Sequence, residues 1–182
     1  MSKDYKGIFV YVEQRDRQVQ NVSLELIGKA KELAETLKEE VTAVVLGYKM
    51  EEKLSSLIQY GADNVIYVED EKLDVYMTEP YTKVLTEIIN SKKPEAVLFG
   101  ATAIGRDLAP RLACRVKTGL TADCTKLDIN EENDNLMMTR PAFGGNIMAT
   151  IECPDHRPQM ATVRPGVMQK AEFDENKTGN IE

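Results

Sequence analysis

Four short runs of β-branched and aliphatic residues, separated by stretches with apolar residues at helical spacing, constrain this chain more than any other feature. The runs are "GIFVYVE" (7–13), "VTAVVLG" (41–47), Val65–Val68 and "AVLFGA" (96–101). Each is short and apolar throughout, as a strand buried on both faces must be. Between the first two, Leu24, Ile27, Ala30, Ala34 and Leu37 recur at helical spacing behind Ser23, a residue type that caps helix N-termini. A short helix over "EEKLSSLIQY" stops at Gly61, and another is predicted around Tyr81–Asn90. The fourth, over "IGRDLAPRLACRV", sets Ile104, Leu108, Leu112 and Val116 one turn apart. Strand–helix alternation of this kind predicts right-handed crossovers and a Rossmann-like parallel sheet flanked by helices, α/β in class.

After Thr118 the rhythm changes. The sequence reads as strand, polar turn at Asn130–Asn135, strand, Gly-Gly turn and strand, with one more strand in "QMATVRPGVM". An antiparallel extension is therefore expected after residue 118. Residues 169–182 are polar and lack periodicity, which reads as a linker or frayed tail following one domain over residues 1–168.

Composition narrows the function. A chain of 182 residues, 42% of them hydrophobic, can bury one good core. Its net charge of −7 argues against a nucleic-acid footprint, which needs a basic face. Small anions remain compatible, since a few placed arginines or backbone N–H groups suffice for them. The N-terminal stretch shows no signal-peptide pattern, and no apolar run approaches the roughly 20 residues of a membrane span. Cys114, Cys124 and Cys153 are odd in number and widely spaced, reading as free thiols of a cytoplasmic protein.

The first strand–helix junction, "VYVEQRDRQVQNVSLE", holds neither G-x-G-x-x-G nor a P-loop and reads as a solvated loop. Cys153 and His156 form C-x-x-H, two ligand types where structural zinc wants four. With prolines on both sides, "ECPDHRPQ" reads as a hairpin turn. No G-x-S-x-G elbow accompanies the only histidine, so no catalytic acid, base or nucleophile is assigned. In "FGATAIGRDLAPRLACRVKTGLTADCT", Gly100 and Gly105 flank the exit of the fourth strand, where α/β folds place ligands. Thr102 is placed to cap the next helix and Asp107 to favour its macrodipole. The same residues also serve a plain tight turn, with Arg106 and Arg111 as surface charges, and spacing alone leaves both readings open. Likewise Arg140 and Arg164, each before a proline, are held extended near a strand end or sheet edge. Either could project a fixed charge over a pocket or sit in an ordinary hairpin.

Taken in order, "GATAIGRDLAPRLACRVKTGLTADCTKLDI", "TRPAFGGNIMATI" and "ATVRPGVM" resemble the alpha subunit of the electron transfer flavoproteins. The resemblance runs through most of the chain, from "GIFVYVE" to "VRPGVM". It implies an N-terminal α/β domain of the adenine nucleotide alpha hydrolase-like kind. A C-terminal FAD-binding domain would follow whose motifs this sequence does not contain, so the alpha-type FAD is not expected on this chain alone. It implies pairing with an electron transfer flavoprotein beta subunit carrying AMP or a second FAD, and exchange with an acyl-CoA or other dehydrogenase. In electron-bifurcating members it places the arginine of the "TRPxxGG" turn, here Arg140, beside the flavin of the beta subunit. Phe143, Gly144 and Gly145 would shape the same wall, and Thr121, Asp123 and Cys124 would line it. Arg164 is assigned an interdomain or structural part. Two other functions fit the α/β layout: a nucleotide-binding regulatory module of the universal-stress type, and a pure assembly domain.

Overall fold

A computed structural model describes residues 4–182. Strand β1 (Ile8–Val12) leads through a tight ribbon, β2 (Gln14–Arg15) and β3 (Gln18–Val19), into helix α1 (Asn21–Leu37). Then follow β4 (Val41–Gly47), α2 (Glu51–Gln59), β5 (Asn64–Glu69), a 3₁₀ turn (Glu71–Leu73), α3 (Thr78–Lys92), β6 (Ala96–Gly100) and α4 (Ala103–Val116). The remaining strands are β7 (Leu120–Cys124), β8 (Lys126–Ile129), β9 (Leu136–Ala142), β10 (Ile147–Ile151), β11 (Gln159–Val163) and β12 (Asn180–Ile181).

Seven strands form one sheet in the order β12-β5-β4-β1-β6-β11-β7, every pairing parallel. Strand periodicity divides their side chains between two cores. Ile8, Val10 and Val12 pack with α1 and α2, whereas Phe9 and Tyr11 pack with α3 and α4. All five are buried, each worth about 1.5–3 kcal/mol of apolar transfer, which makes β1 the spine of the domain. Strands β8, β9 and β10 form the smaller antiparallel sheet; Leu127, Ile129, Leu136 and Met138 from it close the first core.

The parallel sheet and the antiparallel extension are both present, but several local readings need correction. Strands β7 and β11 belong to the parallel sheet, so only β8–β10 make the extension. "ECPDHRPQ" is not a hairpin turn: it carries the chain from β10 in one sheet to β11 in the other. Arg157 holds it, donating to the Cys153 carbonyl at 2.8 Å and the Asn135 side chain at 2.9 Å, and pairing with Glu95. Ser23 does not cap α1. The helix begins two residues earlier, and the buried Ser23 hydroxyl accepts the Glu13 N–H at 2.8 Å instead.

Residues 169–182 are not frayed in this structure. They form a strap that runs over α1 and α2 to the far edge of the sheet. Lys170 donates to Asn21 at 2.8 Å, Phe173 meets Tyr60 edge-on at 5.2 Å, and the Asp174 N–H reaches the Gln59 carbonyl at 3.0 Å. Lys177 bonds the Gly61 carbonyl and Asp63, after which β12 pairs with β5. Most of this attachment is through backbone atoms and polar tips. That is why no apolar periodicity announces it.

Candidate functional site

The parallel order reverses between β1 and β6, the position where open α/β sheets receive ligands. Here the position is filled from within. The Glu13 side chain is 2% exposed. It accepts from Arg15 at 2.9 Å and 3.0 Å and from the Thr102 hydroxyl. Thr102 caps α4 as expected, accepting the Gly105 N–H at 3.1 Å. A carboxylate thus stands where the N-terminus of α4 would otherwise favour an incoming anion. Asp107 lies just past the first turn of α4 and accepts from Thr78 and Tyr76 at 2.5 Å and 2.6 Å, bonds that hold its carboxyl below the usual range.

The second candidate region is the rim where β7 and β11 end and β9 crosses over them. Leu136, Met138 and Arg140 alternate on one face of β9, so the two buried residues carry Arg140 toward the main sheet. Its Nε is buried and has no hydrogen-bond partner among the described residues. Pro141 pairs with Met148 on the β10 side, beyond the last residue that β8 covers, so its missing N–H costs no ladder bond there. Thr121 is buried on β7. Asp123 follows at φ +60° beside an irregularity between β7 and β11, its N–H bonded to the Thr162 hydroxyl at 2.9 Å. Its carboxylate takes Arg164 at 2.7 Å and lies 3.6 Å from Arg106; the Arg164 bond is the chief reason its pKa is lowered.

Burial pushes the Cys124 thiol up to about 12, with the nearby Arg140 charge only partly opposing this. At pH 8 roughly one molecule in ten thousand would carry that thiolate. Alkylation of the folded protein at pH 8 should therefore label exposed Cys114 and spare Cys124 until denaturant is added. Peptide mass mapping that finds Cys124 modified as fast as Cys114 would refute its closed surroundings.

The structure thus brings Arg140, Asp123 and Cys124 together, with Thr121 close behind in β7. It sets Phe143, Gly144 and Gly145 apart. They form the tip of the β9–β10 turn, where Phe143 is 85% exposed. All three have positive φ, and a Cβ on either glycine would meet no neighbouring atom. The glycines serve the turn itself rather than a close approach within this chain. Beside them, Ile147, Met148 and Ile151 of the edge strand β10 are also exposed. Together with Phe143 they make an exposed apolar group along an open strand edge. Sequence reasoning missed Arg106 as a companion of Asp123, and also missed Glu13. Cys153 and His156 touch only through the thiol and the His156 carbonyl at 3.7 Å; no group of metal-ligating side chains occurs among the described residues.

The chain belongs to the electron transfer flavoprotein family, whose description "Electron transfer flavoprotein domain" matches residues 8–182. Within that family it is an N-terminal domain of the alpha-subunit type. It is 58% identical over 92% of its length to the electron transfer flavoprotein subunit alpha of Clostridium acetobutylicum, covering 50% of that protein. The alpha subunit of Megasphaera elsdenii is 47% identical over 98% of the chain, with 53% of it covered. Subunit LctC of the lactate dehydrogenase (NAD(+),ferredoxin) of Acetobacterium woodii is 46% identical over 98% of the chain, with 42% covered. The chain spans about half the length of the curated relatives it matches. None of the described helices is long and apolar enough to cross a membrane.

Proposed function

We propose that this domain packs its three-stranded sheet on an electron transfer flavoprotein beta subunit and sets the electrostatic surroundings of the FAD held there. The whole assembly would pass electrons between a dehydrogenase and an acceptor, or carry out NADH-dependent electron bifurcation. Three free thiols suit a reducing cytoplasm as its setting.

The observation that carries this reading is the Arg140 Nε, a buried donor with no acceptor among the described residues. Buried donors without partners are rare and costly, so an acceptor supplied from outside is the economical account. A flavin fits: its ring offers nitrogen and carbonyl acceptors and supplies one- and two-electron chemistry when bound. The chain's own part is electrostatic. Arg140 holds a permanent positive charge in a partly dry place, which favours negative charge arriving next to it without reorganisation. The apolar tip and edge of β9–β10 would exclude water around that charge.

The universal-stress reading needs an adenine nucleotide at the sheet's reversal point, where the Glu13 carboxylate now stands. The assembly reading needs Arg140 to act only on affinity. Arg140→Ala in the complete two-subunit protein separates these. The expected result is an intact heterodimer whose beta-held flavin has a lower reduction potential, its reduced fraction at fixed potential falling on the order of tenfold. Weaker assembly with an unchanged potential would leave the assembly domain standing and remove the redox role.

A further inference from the structure

Three guanidinium groups gather at the rim, and they are not equivalent. Arg164 grips Asp123 through two bonds, Nη2 to Oδ2 at 2.7 Å and Nε to Oδ1 at 3.3 Å. Arg106 Nη2 lies 3.6 Å from Oδ1. Arg140 is near enough to bias the ionisation of both Asp123 and Cys124, yet its Nε is left with no acceptor among the described residues. Three positive groups around one carboxylate leave a local charge of +2.

The backbone shows that this arrangement is enforced. A left-handed conformation outside glycine is uncommon, although aspartate and asparagine tolerate it best. At Asp123 it coincides with the register shift between β7 and β11, and the buried Thr162 hydroxyl holds the residue's N–H. Irregularities of this kind re-aim a side chain and persist where the surroundings over-determine them. The re-aimed carboxylate meets Arg164, which the Arg164 N–H to Cys124 carbonyl bond of 2.9 Å fixes in place.

We propose that Asp123 is a positioning residue: it engages Arg164 and Arg106, so that Arg140 alone of the three presents an uncommitted guanidinium donor to the flavin of the partner subunit. This rests on the flavin-tuning reading above and adds to it the residue that sorts the charges. Asp123 sets both how much positive charge faces the flavin and which side chain carries it. Without its carboxylate, two more guanidinium groups would be free at the same rim, and the local charge would rise from +2 to +3.

The test is a set of variants in the complete two-subunit protein, read by spectroelectrochemical titration of the beta-held flavin. Asp123→Asn keeps the tolerated backbone conformation and the Thr162 bond while removing the charge. A unit charge roughly 10 Å from a partly dry redox group is worth on the order of tenfold in its equilibrium. The expected result is a higher reduction potential, opposite in direction to Arg140→Ala, with the reduced fraction at fixed potential rising several-fold. Arg164→Gln gives a second approach should the first variant fail to fold. It frees Asp123 to take Arg140, so the potential should fall. In the protein without flavin, the Arg164 Nε–H should lose its protection from exchange in Asp123→Asn. If Arg140→Ala shifts the potential while neither Asp123→Asn nor Arg164→Gln does, the positioning role is overturned and the flavin-tuning reading stands. If none of the three shifts it, both fall.

Discussion

Gly105→Ala is expected to abolish the folded state. The added Cβ would lie 1.8 Å from the Gly100 carbonyl oxygen, and the obstruction is backbone. Neither side can retreat easily. Gly100 ends β6 between β1 and β11, and α4 is fixed by the buried Leu108, Ala109, Leu112 and Ala113. In an isolated helix the same change would gain about 1 kcal/mol, because alanine is the better helix former. Here the clash decides the sign. A loss beyond about 4–5 kcal/mol would consume much of the roughly 5–15 kcal/mol a domain has in total. Soluble yield and urea denaturation measure it; a midpoint equal to that of the parent would show that α4 can slide off the sheet.

The second large effect is local. Gly28→Ala places a Cβ 2.6 Å from both the Ala171 nitrogen and the Gln169 oxygen, backbone atoms of the strap that crosses α1. Here the obstructing segment can leave. Gly28 lies inside α1, so alanine there favours the helix while the strap is expelled. The unfolding midpoint of the body should change little. Trypsin cleavage at Lys170 and Lys177, in contrast, should speed at least tenfold, because cleavage follows the population of the opened segment. Unchanged cleavage would mean that the strap tolerates the methyl group or shields nothing.

The contrast between these glycines shows what was legible in the sequence. β4 was readable to its ends because every residue from Val41 to Gly47 is buried, so its composition records its surroundings. Gly105 is legible as a turn residue, but the approach of a carbonyl from β6 is a fact of packing. The strap was unreadable as structure for a related reason: its polar residues bond through main-chain atoms that every sequence possesses. The same limit applies at the rim. The resemblance alone singles out Asp123 in "GLTADCT", and its bond to Arg164 spans 41 residues and is invisible to any local pattern. Arg140 is legible as an extended arginine before Pro141, and the family resemblance alone sets it beside a flavin. What the structure adds is its lack of an acceptor among the described residues, a property of the whole neighbourhood. Ser23 shows the reverse error, a good capping residue by type that the fold draws inside the helix to satisfy Glu13.

The strap also sets an order in time. Asn180 meets Asn64 across 116 positions of sequence. In a chain made from its N-terminus at roughly 5–20 residues per second, β5 waits about 6–23 s for β12 after its own synthesis. During that interval "NVIYVE" presents an open outer edge, β-branched in part and free of proline, with β4 already available on its other side. Such an edge is a template for another strand. The residues of β12, made long after the edge they cover, are therefore the ones that end its exposure to neighbouring chains on the ribosome.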